Sequence, residues 1–143
     1  MSGDGRHVLF RAGGERFALP LEAVQQVVTP QPPFARVPRT GDAVRGAMNL
    51  RGRVVAVVDL GPLLGLAAQP LRAGQGQVVV LGRDRGGLGL LIEVVLGVEA
   101  LEAPSRGGDG PLVRGVATVR GSAVTVLDPD ALADRSQALF GAP

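Results

Sequence analysis

The chain has 143 residues, of which 45% are hydrophobic and 20% are charged. This length and composition fit one folded domain and exclude a disordered segment. There is no Cys, which excludes disulfides, thiolate metal sites and Cys nucleophiles. The net charge is only +2, and the high pI of about 10.9 arises because every basic side chain except His7 is Arg. A solvated surface of mixed charge is therefore favoured over a phosphate-binding face.

No apolar run approaches the length of a membrane span, and Met1 to Arg6 carry no apolar segment of a signal peptide. We therefore expect a soluble, cytoplasmic protein.

The chain begins with a predicted β-hairpin. His7 to Ala12 and Glu15 to Leu19 have strand character, with a Gly13-Gly14 turn between them. The next segment, Leu21 to Val28, is open to two interpretations. Its valines lie at helical spacing, but eight residues also fit a turn followed by a strand.

The central stretch of the sequence runs from Arg45 to Asp59. It contains an Arg51-Gly52 turn and a strand from Arg53 to Asp59, whose continuous Val indicates burial on both faces. Asp59 is placed to cap a short helical turn that follows it. Residues of this stretch recur later at one constant offset: Arg45, Gly46, Arg51, Gly52, Val55, Val57 and Asp59 return as Arg114, Gly115, Arg120, Gly121, Val124, Val126 and Asp128.

The second half repeats the order of the first. After a linker from Ala67 to Gly76, strands are predicted at Gln77 to Gly82 and Leu88 to Glu93, and a further strand at Ser122 to Leu127. Between them, Glu102 to Gly110 is rich in Pro, Gly and Ser, which predicts a mobile loop. Asp128-Pro129-Asp130 is a strong start for a helix running to about Leu139.

Many short strands with Gly-rich turns indicate an all-β protein. We expect a single domain over residues 1–143, built from two small barrels about a pseudo-twofold axis. The first subdomain would span about 15–66 and the second about 77–128, with the terminal segments completing the barrels. Each barrel alone is marginal in size, so the two should share a hydrophobic seam.

The sequence offers no catalytic constellation. His7 has no Cys or positioned Ser to act with, and one His without Cys makes a poor metal ligand set. The two carboxylates of Asp128 and Asp130 are explained by helix capping, and the Gly-rich stretch 82–89 lacks the Lys of a phosphate loop. We therefore expect a binding module that is not an enzyme and needs no cofactor or metal.

The segment Ala47-Met48-Asn49-Leu50-Arg51-Gly52, with the strand that ends in Val57-Val58-Asp59-Leu60, resembles the CheW family of chemotaxis adaptors. Phe17 to Val24 and Ile92 to Val98 resemble two further segments of that family. The resemblance implies two intertwined, SH3-like, five-stranded barrels. It also implies a scaffold that couples methyl-accepting chemoreceptors to the histidine kinase CheA, recruited from the cytoplasm to membrane receptor arrays.

In that family the cytoplasmic hairpin tip of the receptor lies in a groove between the barrels, and the CheW-like regulatory domain of the kinase packs against one barrel. The resemblance places seven residues at the receptor groove: Val24, Val27, Asn49, Leu50, Arg51, Val95 and Val98. A shallow apolar strip suits a helical hairpin, and Asn and Arg at its edge can fix the register.

Two features depart from the family pattern. Gln26 stands where a Glu is usual, although it can still hydrogen-bond Arg51, and the connection from Val98 to Val113 is short. One alternative is therefore a divergent CheW-like protein that binds only the receptor or only another CheW-like partner. A second alternative, from another class, is a β-barrel module that binds nucleic acid.

Overall fold

The computed structural model describes residues 5–30, 34–36, 43–70, 75–102 and 110–140. Most of the predicted mobile loop, and the centre of the predicted linker, lie outside these residues. The described chain forms ten strands and two helices, in the order β1 (Arg6–Ala12), β2 (Glu15–Pro20), β3 (Val24–Val28), β4 (Val44–Leu50), β5 (Arg53–Asp59), α1 (Leu60–Leu63), β6 (Gln77–Leu81), β7 (Gly89–Ile92), β8 (Val94–Ala100), β9 (Val113–Val119), β10 (Ser122–Leu127) and α2 (Pro129–Gln137).

The strands form two sheets of five. The first has the order β3-β6-β7-β5-β4 and the second the order β8-β1-β2-β10-β9. Exchanging β1–β5 for β6–β10 converts one order into the other, which is the pattern expected of a pseudo-twofold axis. In each sheet a parallel pair, β5 with β7 or β10 with β2, joins strands from the two halves of the chain.

Each sheet curls around an apolar cluster of its own. In the first sheet, Val28 of β3 and Met48 of β4 pack on the same buried valines, although their strands are opposite edges of the sheet. In the second sheet, Val119 of β9 and Leu101, just beyond β8, contact one cluster in the same way. We call the two curled sheets barrel 1 and barrel 2. The predicted fold, all-β with two five-stranded barrels and short helices, is confirmed.

A third cluster lies between the barrels, and we call it the shared core. Alternate residues of the central strands divide between the clusters: Val79 and Leu90 face the shared core, whereas Val78 and Leu91 face the interior of barrel 1. Phe10 and Phe17 contribute from barrel 2, with ring centroids 6.1 Å apart. Burial on both faces is the reason that these strands read as continuous apolar runs.

The repeat and the barrels divide the chain differently. β1 and β2 belong to barrel 2 together with β8–β10, whereas β6 and β7 belong to barrel 1 together with β3–β5. Each barrel thus takes two strands from one repeat and three from the other. The subdomain limits of about 15–66 and 77–128 remain a proposal about the repeated unit.

The duplicated Arg-Gly pairs form two-residue hairpin turns. Arg51 and Gly52 have φ of 52° and 83°, and Arg120 and Gly121 have φ of 48° and 79°. Two successive residues with positive φ identify a type I′ turn, whose twist matches that of the flanking strands.

The expectation that Asp59 caps helix α1 is wrong. Its side chain accepts no capping hydrogen bond and is 1% exposed. Instead, its Oδ2 accepts hydrogen bonds from Arg45 Nη1 at 2.6 Å and from the backbone N–H of Gln69 at 2.9 Å. The recurring Arg and Asp therefore have a structural explanation, since Arg114 and Asp128 form the matching pair at 4.0 Å.

At the end of the second repeat the capping prediction is confirmed. Asp128 Oδ1 accepts hydrogen bonds from the backbone N–H groups of Asp130 and Ala131, and Pro129 begins helix α2. Within the described residues, neither helix is long and apolar enough to cross a membrane.

The strand prediction for Arg53 to Asp59 is confirmed, but burial on both faces holds only for its final part. Val57 and Val58 are fully buried, whereas Val54 is 77% exposed. The strand extends beyond the core at its hairpin end, where its side chains are exposed, so its Val content alone overstated its burial.

Candidate docking surface

Two pairs of valines lie on equivalent edge strands, Val24 and Val27 on β3 and Val95 and Val98 on β8. Both strands carry a β-bulge. The register shifts between Val24 and Gln26, and on β8 Phe10 pairs with Val95 while Leu9 pairs with Gly97. The bulges leave Gln25 and Leu96 without a cross-strand partner. A bulge adds one residue to a strand, so residues three apart return to the same face.

All four valines are on the face that looks toward the other barrel. Val24 and Val27 lie opposite Leu81 and Val79, which belong to the shared core. Val95 lies opposite Phe10, another shared-core residue, and Val98 lies opposite Val8, two residues away on the same face of β1.

The two pairs differ in depth. Val24 and Val95 are half-buried and pack against the shared core. Val27 and Val98 are 37% and 52% exposed. The shared core therefore continues outward into a solvent-accessible apolar strip on each edge strand, and we call the two strips together the valine seam.

A hydrogen bond ties β8 to barrel 1. The backbone N–H of Val95 donates to Gln77 Oε1 at 2.6 Å, and Gln77 begins β6, the strand that pairs with β3. The end of β3 and the start of β8 therefore both lie beside β6.

The other three predicted residues are at the β4–β5 hairpin. Asn49 Oδ1 accepts a hydrogen bond from the backbone N–H of Gly52 at 2.7 Å, so this side chain stabilises the turn. Leu50 packs into the interior of barrel 1. Arg51 is exposed at the tip, and in the described part of the chain no carboxylate lies within ion-pair distance of it.

The hydrogen bond that Gln26 could make to Arg51 does not form. Instead the neighbouring Gln25, the bulge residue, accepts a hydrogen bond from Arg53 Nη2 at 3.4 Å. The bulge explains the change, because the extra residue moves Gln25 out of the regular alternation.

The hairpin tip and the end of β3 share a cavity of about 510 Å³ in barrel 1, lined by Val28, Thr29, Phe34, Ala35, Ala47, Met48, Asn49 and Leu50. Barrel 2 has a matching cavity of about 540 Å³, lined by Glu99, Ala100, Leu101, Glu102, Val116, Ala117, Thr118, Val119 and Arg120. Each valine strip therefore ends at a cavity that is bordered by an Arg-Gly hairpin. Asn49 and Leu50, which precede Arg51, line the barrel 1 cavity, so the hairpin that carries Arg51 lies across this cavity from the end of β3.

Sequence reasoning missed several exposed residues beside the seam. Val94 and Leu96 also expose apolar surface on β8, with exposures of 36% and 45%, although Val94 lies opposite Arg11, on the other face from Val95. Glu99 follows Val98 and forms an ion pair of 2.6 Å with Arg120. Aligning the two repeats would have revealed Glu99, because the residue at its position in the first repeat is Val28.

The comparisons with known proteins agree with this architecture. The family model of the CheW-like domain matches residues 6–137, nearly the whole chain. The chain belongs to the CheW-like domain family. Members of this family are non-enzymatic scaffold proteins, which agrees with the expectation that the chain is not an enzyme.

Two known proteins are similar to this CheW-like domain. It is similar in fold to the scaffolding protein TtCheW from Thermoanaerobacter tengcongensis, with a TM-score of 0.72 and 20% identity over 87% of this chain and 89% of that chain. It is 33% identical over 90 residues to Protein PilI of Pseudomonas aeruginosa. That match covers 63% of this chain and 49% of PilI, so the chain spans about half the length of this curated relative.

Proposed function

We propose that this chain is a non-enzymatic adaptor that couples methyl-accepting chemoreceptors to a CheA-type histidine kinase, in chemotaxis or a related chemosensory pathway. Family membership supports the adaptor role. The observation that carries the proposal is the valine seam, an apolar strip that opens to solvent and ends at a cavity bordered by the hairpin that carries the exposed Arg51.

The seam suits a helical hairpin as its occupant. Val27 and Val98 expose apolar surface that extends a buried core, and such a strip accepts the apolar face of a helix. Arg51 at its end can donate hydrogen bonds to a carboxylate or to backbone carbonyl groups of the hairpin. The valines would supply the buried area and Arg51 the register.

The backbone conformation at Arg51 bears on why an Arg occupies this position. Its φ of 52° lies in the left-handed region, which costs an ordinary L-residue about 1–2 kcal/mol and which Asn adopts more readily. The turn itself therefore does not require Arg. At Arg120, in the same conformation, the ion pair with Glu99 gives the side chain an intramolecular role.

Replacing each Arg by Asn tests the proposal, because Asn fits the turn but carries no charge. We expect Arg51→Asn to weaken binding of a soluble chemoreceptor hairpin fragment by about tenfold, while the free energy of unfolding rises by about 0.5 kcal/mol. Affinity is measured by isothermal titration calorimetry and stability by urea unfolding.

Arg120→Asn is the matched control. It should leave affinity for the receptor fragment within about twofold, because this Arg is already paired. Equal losses in the two variants, or no loss in Arg51→Asn, would remove Arg51 from the docking surface.

Coupling to the kinase is tested separately with the isolated regulatory domain of CheA. The proposal predicts that the chain, the receptor fragment and the kinase domain co-sediment as one ternary complex. If only the receptor fragment or only a second CheW-like domain is captured, the chain is the divergent single-partner form.

A further inference from the structure

The two ends of the valine seam are equivalent in fold but differ in charge. The barrel 1 cavity is lined by neutral and apolar residues, and the hairpin beside it carries Arg51 and Arg53. The barrel 2 cavity is lined by Glu99 and Glu102 as well as Arg120. The described residues at the barrel 1 end thus carry a net positive charge, whereas at the barrel 2 end Glu99 and Glu102 offset Arg120 and Arg6, which lies opposite Ala100 on β1.

A single difference between the repeats accounts for much of this contrast. In β8, Glu99 follows Val98 and its Oε2 lies 2.6 Å from Arg120 Nη1. In β3 the residue that follows Val27 is Val28, which packs into the interior of barrel 1. Barrel 1 therefore has no carboxylate at the position from which Glu99 pairs with the hairpin Arg.

Because the two barrels are related by a pseudo-twofold axis, this difference in charge bears on the direction in which a partner binds. An apolar strip that is nearly symmetric would accept a helical hairpin in two opposite directions, since the hairpin itself presents two similar antiparallel helices. The direction of the bound hairpin must then be set by side chains that differ between the two barrels. Charged side chains can do this, because like charges brought together at an interface destabilise the wrong orientation.

We propose that Glu99 sets the direction in which a helical hairpin lies along the valine seam. It neutralises Arg120 and repels acidic side chains of the partner, so that of the two hairpin-tip arginines Arg51 alone binds a partner carboxylate. The inference rests on the proposed function and concerns a helical hairpin whose acidic side chains lie toward one side of its tip.

The direction is measured by paramagnetic broadening. A soluble chemoreceptor hairpin fragment carries one nitroxide, on one side of its tip or, in a second sample, on the other. The amide signals of Gly52 and Gly121 in the ¹⁵N-labelled chain report which hairpin the nitroxide approaches. All samples share one buffer and one pH, since His7 lies opposite Glu99 across β1 and β8.

In the native chain we expect the two glycines to differ about fivefold in broadening, with the order reversed when the nitroxide is moved to the other side. In Glu99→Gln the difference should fall to nearly equal broadening. In Glu99→Gln with Arg51→Gln the preference should reverse, since Arg120 is then the free hairpin-tip cation. Glu99→Gln with Arg120→Gln should restore the native preference.

Equal broadening at Gly52 and Gly121 in the native chain would overturn the inference, as would an unchanged preference in Glu99→Gln, and in both cases the proposed function would stand. Absence of broadening from either label in the native chain would overturn the proposed function itself and the inference with it.

Discussion

Among single residues, the Arg–Asp ion pair occurs twice, once in a buried setting and once in a partly exposed one. Arg45 and Asp59 are largely buried and share Gln69 as a further partner, whereas Arg114 and Asp128 are partly exposed and Asp128 also caps α2. A buried carboxylate that loses its cation remains without compensation, whereas an exposed one is solvated.

This contrast gives a prediction for stability. Arg45→Met should lower the free energy of unfolding by about 3 kcal/mol, because it leaves the buried carboxylate of Asp59 without its cation and with only the Gln69 N–H as a donor. The matched change, Arg114→Met, should cost less than about 1 kcal/mol, because that pair is exposed and the cap remains. Urea unfolding at 25 °C measures both, and equal costs in the two variants would show that burial does not distinguish the pairs.

The sequence allowed the recurrence of these residues to be seen but not the role of Asp59. An Asp directly after a strand and before a helix fits a cap and an ion pair equally well. Only the position of Arg45, which the fold determines, decides between them. The ion pair between Glu99 and Arg120 was missed for the same reason, since β8 and the β9–β10 turn are at opposite edges of the sheet and meet only when barrel 2 closes.

At the scale of elements, the bulges on β3 and β8 explain a misleading pattern. Val24 and Val27 are three residues apart, which suggested a short helix as one of two interpretations. The extra residue Gln25 brings them to one face of a strand instead. Of the two interpretations, a turn followed by a strand is the correct one, with a 3-10 turn from Leu21 to Ala23.

β4 holds its neighbouring segment by a close backbone contact. Ala35 and Ala47 exchange two backbone hydrogen bonds of 2.8 and 2.9 Å. Gly46 makes this approach possible, because a Cβ there would lie 2.6 Å from both the carbonyl oxygen of Ala35 and Cβ of Phe34. Its φ of 140° also disfavours other residues.

We expect Gly46→Ala to lower the free energy of unfolding by more than about 2 kcal/mol and to abolish the exchange protection of the Ala35 amide. Gly121→Ala is the control, since it also has a positive φ but no atom within 4 Å of the added Cβ, and it should cost about 1 kcal/mol. Urea unfolding and amide hydrogen exchange provide the readouts. A cost for Gly46→Ala no greater than that of the control would exclude a steric role.

In the whole molecule, each barrel is completed by strands from the other repeat, so neither barrel can form without both repeats. The fold class, the repeat and the shared core could be predicted from composition, spacing and small barrel size. Which strands share a barrel could not, because strand pairing between distant segments leaves no local pattern. The consequence is that neither repeat contains a complete barrel.

Separating the repeats tests this arrangement. Residues 1–72 and 73–143, prepared as separate chains, should each be unfolded as a monomer, because either fragment alone supplies only two or three strands to each sheet. Mixed at equal concentration, they should form one folded complex that buries the shared core. Circular dichroism and analytical ultracentrifugation report the outcome, and a folded monomer of either fragment would contradict the exchanged arrangement.

Receptor binding by the valine seam and the adjacent hairpin is the proposal on which the function depends. Amide hydrogen exchange of the intact chain, with and without a soluble chemoreceptor hairpin fragment, tests it most directly. We predict slower exchange in β3, in β8 and in the β4–β5 hairpin around Arg51, with little change in α2. Slower exchange confined to α2 or to β9 and β10, with β3, β8 and the β4–β5 hairpin unchanged, would show that the receptor binds elsewhere.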